Sequence, residues 1–351
     1  MTTDVGKTAL ITGASSGIGR ELATLFAKDG YNLVLVARSE DKLQELANKF
    51  KQQFGTSSVT VIEKDLSKPE APQEIYDEVT RQQITVNVLV NDAGFGEYGR
   101  FATETDLQNE LSVIQVNLTA LVHLTKLFVK DMVGRNEGKI LMLGSIASVM
   151  PHPLMAVYGA TKSFIYSFSE ALRNELSDTD VSVTVLMPGA TDTDFFNKAG
   201  AMNTRAQELA HTGNPADVAQ IGYEALMQGK DKVVPGLFNK VQVASAYVLP
   251  DQVVTANMRK LLERKDSANE EKQVSKLAVG LGIAAAVVAG IYLTTRTNNR
   301  ISLPINAFDQ ARYRYKAGRA YGSAKNAVKS VADSVNGTVA TTKAKVERAL
   351  V

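Results

Sequence analysis

Short apolar runs alternate along this chain with longer stretches whose apolar residues recur every three or four positions. Thr8-Ala9-Leu10-Ile11-Thr12 is β-branched and apolar, and Asn32–Ala37 is similar; both patterns predict buried strands. Further runs at 59–63, 87–91, 138–144, 181–187 and 233–234 predict five more. Helical spacing between them predicts helices over 18–29, 40–54, 70–82, 105–133, 157–177 and 215–228; Leu22, Leu25 and Phe26 mark the apolar face of the first. Strict alternation of strand and helix requires right-handed crossovers. The expected fold is therefore α/β, one doubly wound parallel sheet with helices on both faces. Ligands of such sheets sit beyond the carboxyl ends of the strands, and Gly94, Ser145 and Pro188 each follow a predicted strand at that edge.

The first strand runs into Gly13-Ala14-Ser15-Ser16-Gly17-Ile18-Gly19 and then into a helix. Glycines at this turn permit close backbone approach. The helix N-terminus behind them offers free N–H groups and a positive dipole end to a diphosphate. The spacing is Gly-x-x-x-Gly-x-Gly rather than the general Gly-x-Gly-x-x-Gly. Later in the chain, Tyr158 and Lys162 stand four residues apart, thirteen and more residues beyond Ser145. That spacing puts both side chains on one helical face. An ammonium beside a phenol favours the phenolate, so Lys162 is expected to lower the Tyr158 pKa and make it a general acid/base.

These motifs, in this order, resemble the short-chain dehydrogenase/reductase family from about Lys7 to Arg264, and the resemblance implies a Rossmann-type fold for residues 1–264. Thr12 to Gly19 resembles its cofactor turn, with Thr12, Gly13, Ser15, Ser16, Gly17, Ile18 and Gly19 as cofactor-binding candidates. Asp65 matches the residue that contacts adenine, with Leu66 beside it. Asn91-Asp92-Ala93-Gly94 resembles the motif closing strand four, which supplies Asn91, Ala93 and Gly94. Pro188 to Thr193 resembles the nicotinamide-side loop, which supplies Pro188, Gly189, Thr191 and Thr193. Asn117, Ser145, Tyr158 and Lys162 match the catalytic tetrad. The resemblance implies Tyr158 as proton donor and Ser145 as the group positioning the carbonyl. It also implies Lys162 as ribose ligand and Asn117 as holder of a relay water. One residue departs from the family: Asp92 stands where asparagine is usual, and a carboxylate cannot donate the amide's hydrogen bonds.

The second strand ends in Ala37-Arg38. An acidic residue there binds a ribose 2′-hydroxyl, whereas a guanidinium pairs with a 2′-phosphate, so NADP is expected over NAD. An NADP preference favours reduction. Phe195, Phe196, Met202 and Leu209 lie where the family has a substrate lid, and Phe95, Met150, Leu154 and Met187 add apolar candidates near the crevice. Phe95, His152 and Phe195 are the substrate-contact candidates beside Ser145 and Tyr158. Such walls suit a lipophilic carbonyl or alcohol. The rivals are a 3-oxoacyl reductase, a hydroxysteroid-type dehydrogenase and, outside enzymes, a nucleotide-sensing membrane scaffold. A homo-oligomer is expected.

Composition narrows this further. The 351 residues contain no cysteine, which excludes disulfides and thiolate chemistry, and the three histidines show no metal-ligand spacing. The sequence runs from residue 1 into the first strand without a signal peptide, so the catalytic domain is expected in the cytoplasm. After a charged linker at 265–276, Leu277–Thr295 is nineteen residues without charge, the length of one bilayer crossing. Gly282, Ala286 and Gly290 form a small-residue face on it. Residues 296–351 carry eleven Lys/Arg against three Asp/Glu, while the remainder carries 28 against 34, so a near-neutral total hides two oppositely charged parts. The tail is expected to be partly amphipathic or disordered. Its charge suits anionic lipid, and it has no recognisable nucleic-acid-binding fold. Six Lys/Arg precede the apolar run (259–276) and five follow it (296–316), so the positive-inside rule gives no orientation. The need for NADPH places the enzyme inside and would send a spanning helix's tail outside; a dipping helix would keep both on the cytoplasmic side.

Overall fold

A computed structural model describes residues 6–265. The apolar run at 277–295, the basic tail and all of the linker except Lys265 lie outside the described residues. Seven strands form one all-parallel sheet: β1 (Thr8–Thr12), β2 (Asn32–Ala37), β3 (Val59–Glu63), β4 (Val86–Asn91), β5 (Gly138–Leu143), β6 (Val181–Leu186) and β7 (Lys232–Val233). Their order is β3-β2-β1-β4-β5-β6-β7. The chain winds outward from β1 to β3, then crosses back to β4 on the other side of β1. That reversal opens a crevice above β1 and β4, the usual binding place in such sheets.

Alternation within the strands divides the core in two. Leu10, Val34, Val36, Leu89, Ile140 and Val183 point to one face and pack on α3 (Ala71–Arg81), α5 (Leu121–Gly134) and α6 (Ala156–Glu175). Ala9, Ile11, Leu33, Leu35, Val88 and Leu141 point to the other, against α1 (Gly17–Lys28), α2 (Glu40–Phe54) and α9 (Pro215–Met227). Strands buried on both faces explain why the sequence shows continuous apolar runs rather than alternation with polar residues.

The long helix expected over 105–133 is present but not uniform. It runs as α4 (Leu107–Ile114), one π-helical turn (Gln115–Ala120) and α5. Asp106 caps it by accepting from the N–H groups of Gln108 and Asn109. By length and composition Leu107–Gly134 could cross a membrane. It is a core helix, with Leu124, Phe128 and Met132 buried against the sheet. Four short helices were not evident from the apolar pattern: α7 (Phe195–Lys198), α8 (Arg205–Ala210), α10 (Leu237–Ala246) and α11 (Asp251–Leu262). All four lie over the carboxyl edge or close the domain behind it.

Candidate active site

A cavity of about 850 Å³ runs along the carboxyl edge of the sheet. At one end it is floored by the glycine turn. Gly13 has a φ of +71°, and a Cβ there would lie 3.0 Å from the backbone nitrogen of Ala93. A Cβ at Gly19 would lie 2.7 Å from the carbonyl oxygen of Gly13. Only glycine lets β1, the turn and α1 close on β4 in this way. Ser16 caps α1 without a side-chain hydrogen bond, and the first turn holds no acidic residue. The N–H of Gly19 is turned to Asp92, while Gly17 and Ile18 line the cavity and present the positive end of the helix to an anion.

Of the cofactor candidates, Gly13, Ser15, Ser16, Gly17, Ile18, Arg38, Asp65, Leu66, Ala93, Gly94, Tyr158, Pro188, Gly189, Thr191 and Thr193 line the cavity. Thr12, Gly19, Asn91 and Lys162 do not line it; they are buried beneath and hold its walls. The Thr12 hydroxyl accepts from the N–H groups of Asp92 and Ala93 at 3.1 Å and donates to Val90 O at 3.3 Å, joining β1 to β4. Asn91 donates to Thr125 at 3.0 Å, tying β4 to α5. Arg38 is exposed at the end of β2, in a bay with Ser39, Lys42, Lys64 and Asp65. Burial would raise the Asp65 carboxyl, but hydrogen bonds from Ser67 and the charge of Arg38 hold it below its ordinary value. Ser39 and Lys42 were not among the expected residues, although Ser39, the N-cap of α2, directly follows Arg38 and Lys42 lies one helical turn on.

At the other end Ser145, Tyr158 and Lys162 come together. Ser145 caps a 3₁₀ turn (Ile146–Val149), with its Oγ accepting from Ala147 N at 3.1 Å, and its hydroxyl also hydrogen-bonds the Tyr158 phenol. Lys162 is buried, donates to Leu143 O at 2.7 Å, and places its ammonium 5.6 Å from the Tyr158 ring centre. The expected lowering of the Tyr158 pKa by Lys162 does not occur. Burial pushes the phenol up to about 12, opposed only by the Ser145 hydrogen bond. Burial also pulls Lys162 down to about 8, opposed by Asp92. The lysine makes a short bond to the Leu143 carbonyl, with its ammonium over the Tyr158 ring.

Asn117 lies in the π turn. Its Oδ1 accepts from Phe95 N at 3.1 Å, and its Nδ2 donates to Phe95 O at 3.0 Å and to Thr161 at 3.1 Å. Thr161 in turn donates to Tyr158 O at 2.7 Å. The amide thus clamps the β4 loop to α6, and a Cβ at Gly94 would lie 3.1 Å from Asn117 Oδ1 and 3.7 Å from Lys162 Nζ. Thr161 was overlooked, although it sits three residues after Tyr158 on the same helix.

Apolar groups wall the cavity around the phenol. The Phe195 ring lies 5.0 Å from that of Tyr158, and a Cβ at Gly96 would meet Met155, Phe195 and Tyr158 together. Phe95 and His152 also line this end. The His152 Nδ1 lies 3.0 Å from Met150 O, and burial holds the imidazole below its ordinary pKa, so the ring is neutral. Met258 and Leu262 of α11 close the far wall. Val254, Met258 and Leu261 recur at helical spacing, a signal that the sequence carried and that went unused.

Residues 7–204, more than half of the chain, match the short chain dehydrogenase family. The chain belongs to that family. It is 36% identical over 187 residues to sulfoacetaldehyde reductase 2 of Chromohalobacter salexigens, covering 53% of this chain and 73% of that protein. It is 35% identical over 189 residues to very-long-chain 3-oxoacyl-CoA reductase of Rattus norvegicus, covering 52% of this chain and 59% of that one. Among solved structures, a short-chain dehydrogenase from Sphingobium yanoikuyae in complex with NADPH superposes with a TM-score of 0.61 at 28% identity, over 75% of this chain and 98% of the other. This short-chain dehydrogenase is an NAD(P)-binding oxidoreductase that acts between a carbonyl and its alcohol.

Proposed function

We propose that the chain reduces a lipophilic carbonyl compound with NADPH, and that residues 1–264 contain the whole catalytic machinery. The observation that carries this reading is the placement of Tyr158. The phenol hydrogen-bonds Ser145 and packs against Phe195 in a cavity whose other end is the glycine turn. That turn fits a dinucleotide: its glycines let the backbone close on Asp92, Ala93 and Thr193 where a Cβ would collide, and Gly17 and Ile18 at the helix N-terminus line the cavity. When bound, NADPH supplies the hydride. Tyr158 gives its proton to the substrate oxygen, and Ser145 holds that oxygen and stabilises its developing charge. Lys162 binds ribose hydroxyls and, with Asn117 across Gly94, returns the proton from solvent. A phenol held near 12 is protonated at neutral pH, which suits donation and so the reductive direction.

Arg38 is assigned to the 2′-phosphate, supported by its exposed bay with Lys42 and Lys64 and by the absence of an acidic residue at position 37. Among acyl substrates a 3-oxoacyl thioester is the leading alternative, favoured by the similarity to a 3-oxoacyl-CoA reductase and by the apolar walls. Membrane association through 277–295 would bring such substrates within reach. Exposed Leu107, Leu111 and Ile114 at helical spacing support a homo-oligomer. The test is NADPH oxidation by the full chain with lipophilic ketones and with 3-oxoacyl thioesters of increasing length. Turnover of either class supports the reading and separates the two substrates; absence of oxidation with all of them would leave only the scaffold alternative.

A further inference from the structure

Asp92 is a carboxylate in a place that offers it little. Its Oδ1 is buried and has no hydrogen-bond partner, and its other carboxylate oxygen takes the N–H of Gly19. A Cβ at Gly13 would lie 2.9 Å from Oδ2, and one at Gly19 would lie 2.5 Å from it, so the carboxylate is pressed against the underside of the glycine turn. From β1 the Thr12 hydroxyl accepts from the Asp92 backbone N–H. From α6 the charge of Lys162 favours its ionised form, yet that ammonium makes its short bond to Leu143 O instead. Burial outweighs Lys162 and Gly19, and raises the carboxyl to about 7.

The upper side of the same turn is where a dinucleotide's diphosphate belongs. Two anions would then draw on the amides of one helix N-terminus, the diphosphate and Asp92, which itself lines the cavity beside the turn. A second negative charge disfavours ionisation of the first. We propose that Asp92 takes up a proton when the dinucleotide binds, so that cofactor affinity weakens as pH rises above neutrality. This rests on the glycine turn being the diphosphate site. The sign follows from linkage: the bound state has the higher pKa. Affinity is therefore full below the free-state value and falls as pH rises between the free and bound values, by at most about tenfold per pH unit for one proton.

The experiment is titration of the full-length protein with NADPH from pH 6 to pH 9, followed by quenching of intrinsic tyrosine fluorescence and by calorimetry in buffers of differing ionisation enthalpy. The expected result is a Kd that climbs several-fold per unit above pH 7, with net proton uptake at pH 8. Asp92→Asn should flatten most of that climb and bind NADPH more tightly than the parent at pH 8.5. Titration of Lys162 or of the 2′-phosphate would persist in the variant, so the difference isolates Asp92. A merely structural Asp92 predicts equal loss at every pH, and that outcome overturns the proposal. Zero proton uptake by the unmutated protein at pH 8 overturns it too, even if the variant fails to fold. A failure to bind NADPH at any pH would overturn the dinucleotide reading itself, whereas tight binding with identical slopes in both proteins would sink only the role of Asp92.

Discussion

Burial sets the charge of the three titratable groups that meet beneath the cleft: Tyr158 is held up to about 12, Lys162 down to about 8, and Asp92 up to about 7. Each shift disfavours the charged form, so Tyr158 enters the reaction as an acid. Tyr158→Phe keeps the ring that packs on Phe195 and removes the proton, and kcat should fall by roughly 10²–10⁴ with NADPH affinity little changed. Retention of more than half the rate would remove Tyr158 from its role. Direction of reaction gives a second check. Reduction needs the phenol protonated and should be level in its Tyr158 dependence from pH 6 to 9. Alcohol oxidation needs the phenolate, whose fraction grows about tenfold per unit below its pKa. Initial rates in both directions across that range should show oxidation climbing with pH. A plateau in oxidation below pH 8 would place the phenol far lower than this. At the opposite end of the cavity, Arg38→Ala should cost NADPH about 1.5–3 kcal/mol more than it costs NADH, the scale of a charge-assisted hydrogen bond. Equal losses in direct binding measurements would mean that Arg38 does not read the 2′-phosphate.

The π turn at Gln115–Ala120 is where element and chemistry meet, because it carries the Asn117 amide that clamps Phe95. π turns recur at functional sites because the extra residue redirects a side chain that a regular helix would aim elsewhere. Asn117→Ala would leave the Phe95 N–H and carbonyl without their partner, at a cost of about 1–3 kcal/mol in unfolding free energy, readable by urea denaturation. Activity should fall further than stability accounts for, since the β4 loop loses its tie and Thr161, which holds Tyr158 O, loses its donor. Unchanged stability would mean that the clamp is not made. The sequence announced this helix but not its turn: apolar spacing over 105–133 averages across one extra residue. The strands were legible because doubly buried runs are continuous and β-branched, as in Asn32–Ala37. Residues 237–246 were not, because Leu237 and Phe238 are exposed there and blur the apolar face, whereas 251–262 does carry a helical spacing at Val254, Met258 and Leu261. The catalytic residues were readable as types and spacings. The upward shift of Tyr158 was not, since it depends on walls contributed by Met155 and Phe195 and on where the Lys162 ammonium finds its acceptor.

At the scale of the whole molecule, both core clusters lie within the described residues, and every residue assigned to chemistry precedes Arg264. The acidic catalytic part and the basic last 56 residues are separated in sequence by a nineteen-residue uncharged run. If Leu277–Thr295 enters lipid, deletion of 266–351 should move the protein from the membrane fraction to the supernatant. The deleted protein should still reduce a small soluble ketone at the parent rate, because the buried residues of both described core clusters all precede Lys265. A lipophilic substrate presented in vesicles should lose rate on the same deletion, since the anchor concentrates the enzyme at the substrate's source. Ala286→Arg is the finer test: a charge at the centre of a bilayer helix costs about 2.5–3.5 kcal/mol on insertion scales, while a helix in water tolerates it. Membrane recovery should fall with activity on soluble ketone preserved. Recovery of the unmutated chain in the supernatant without detergent would refute insertion, and the Gly282/Ala286/Gly290 face would then be assigned to pairing between helices.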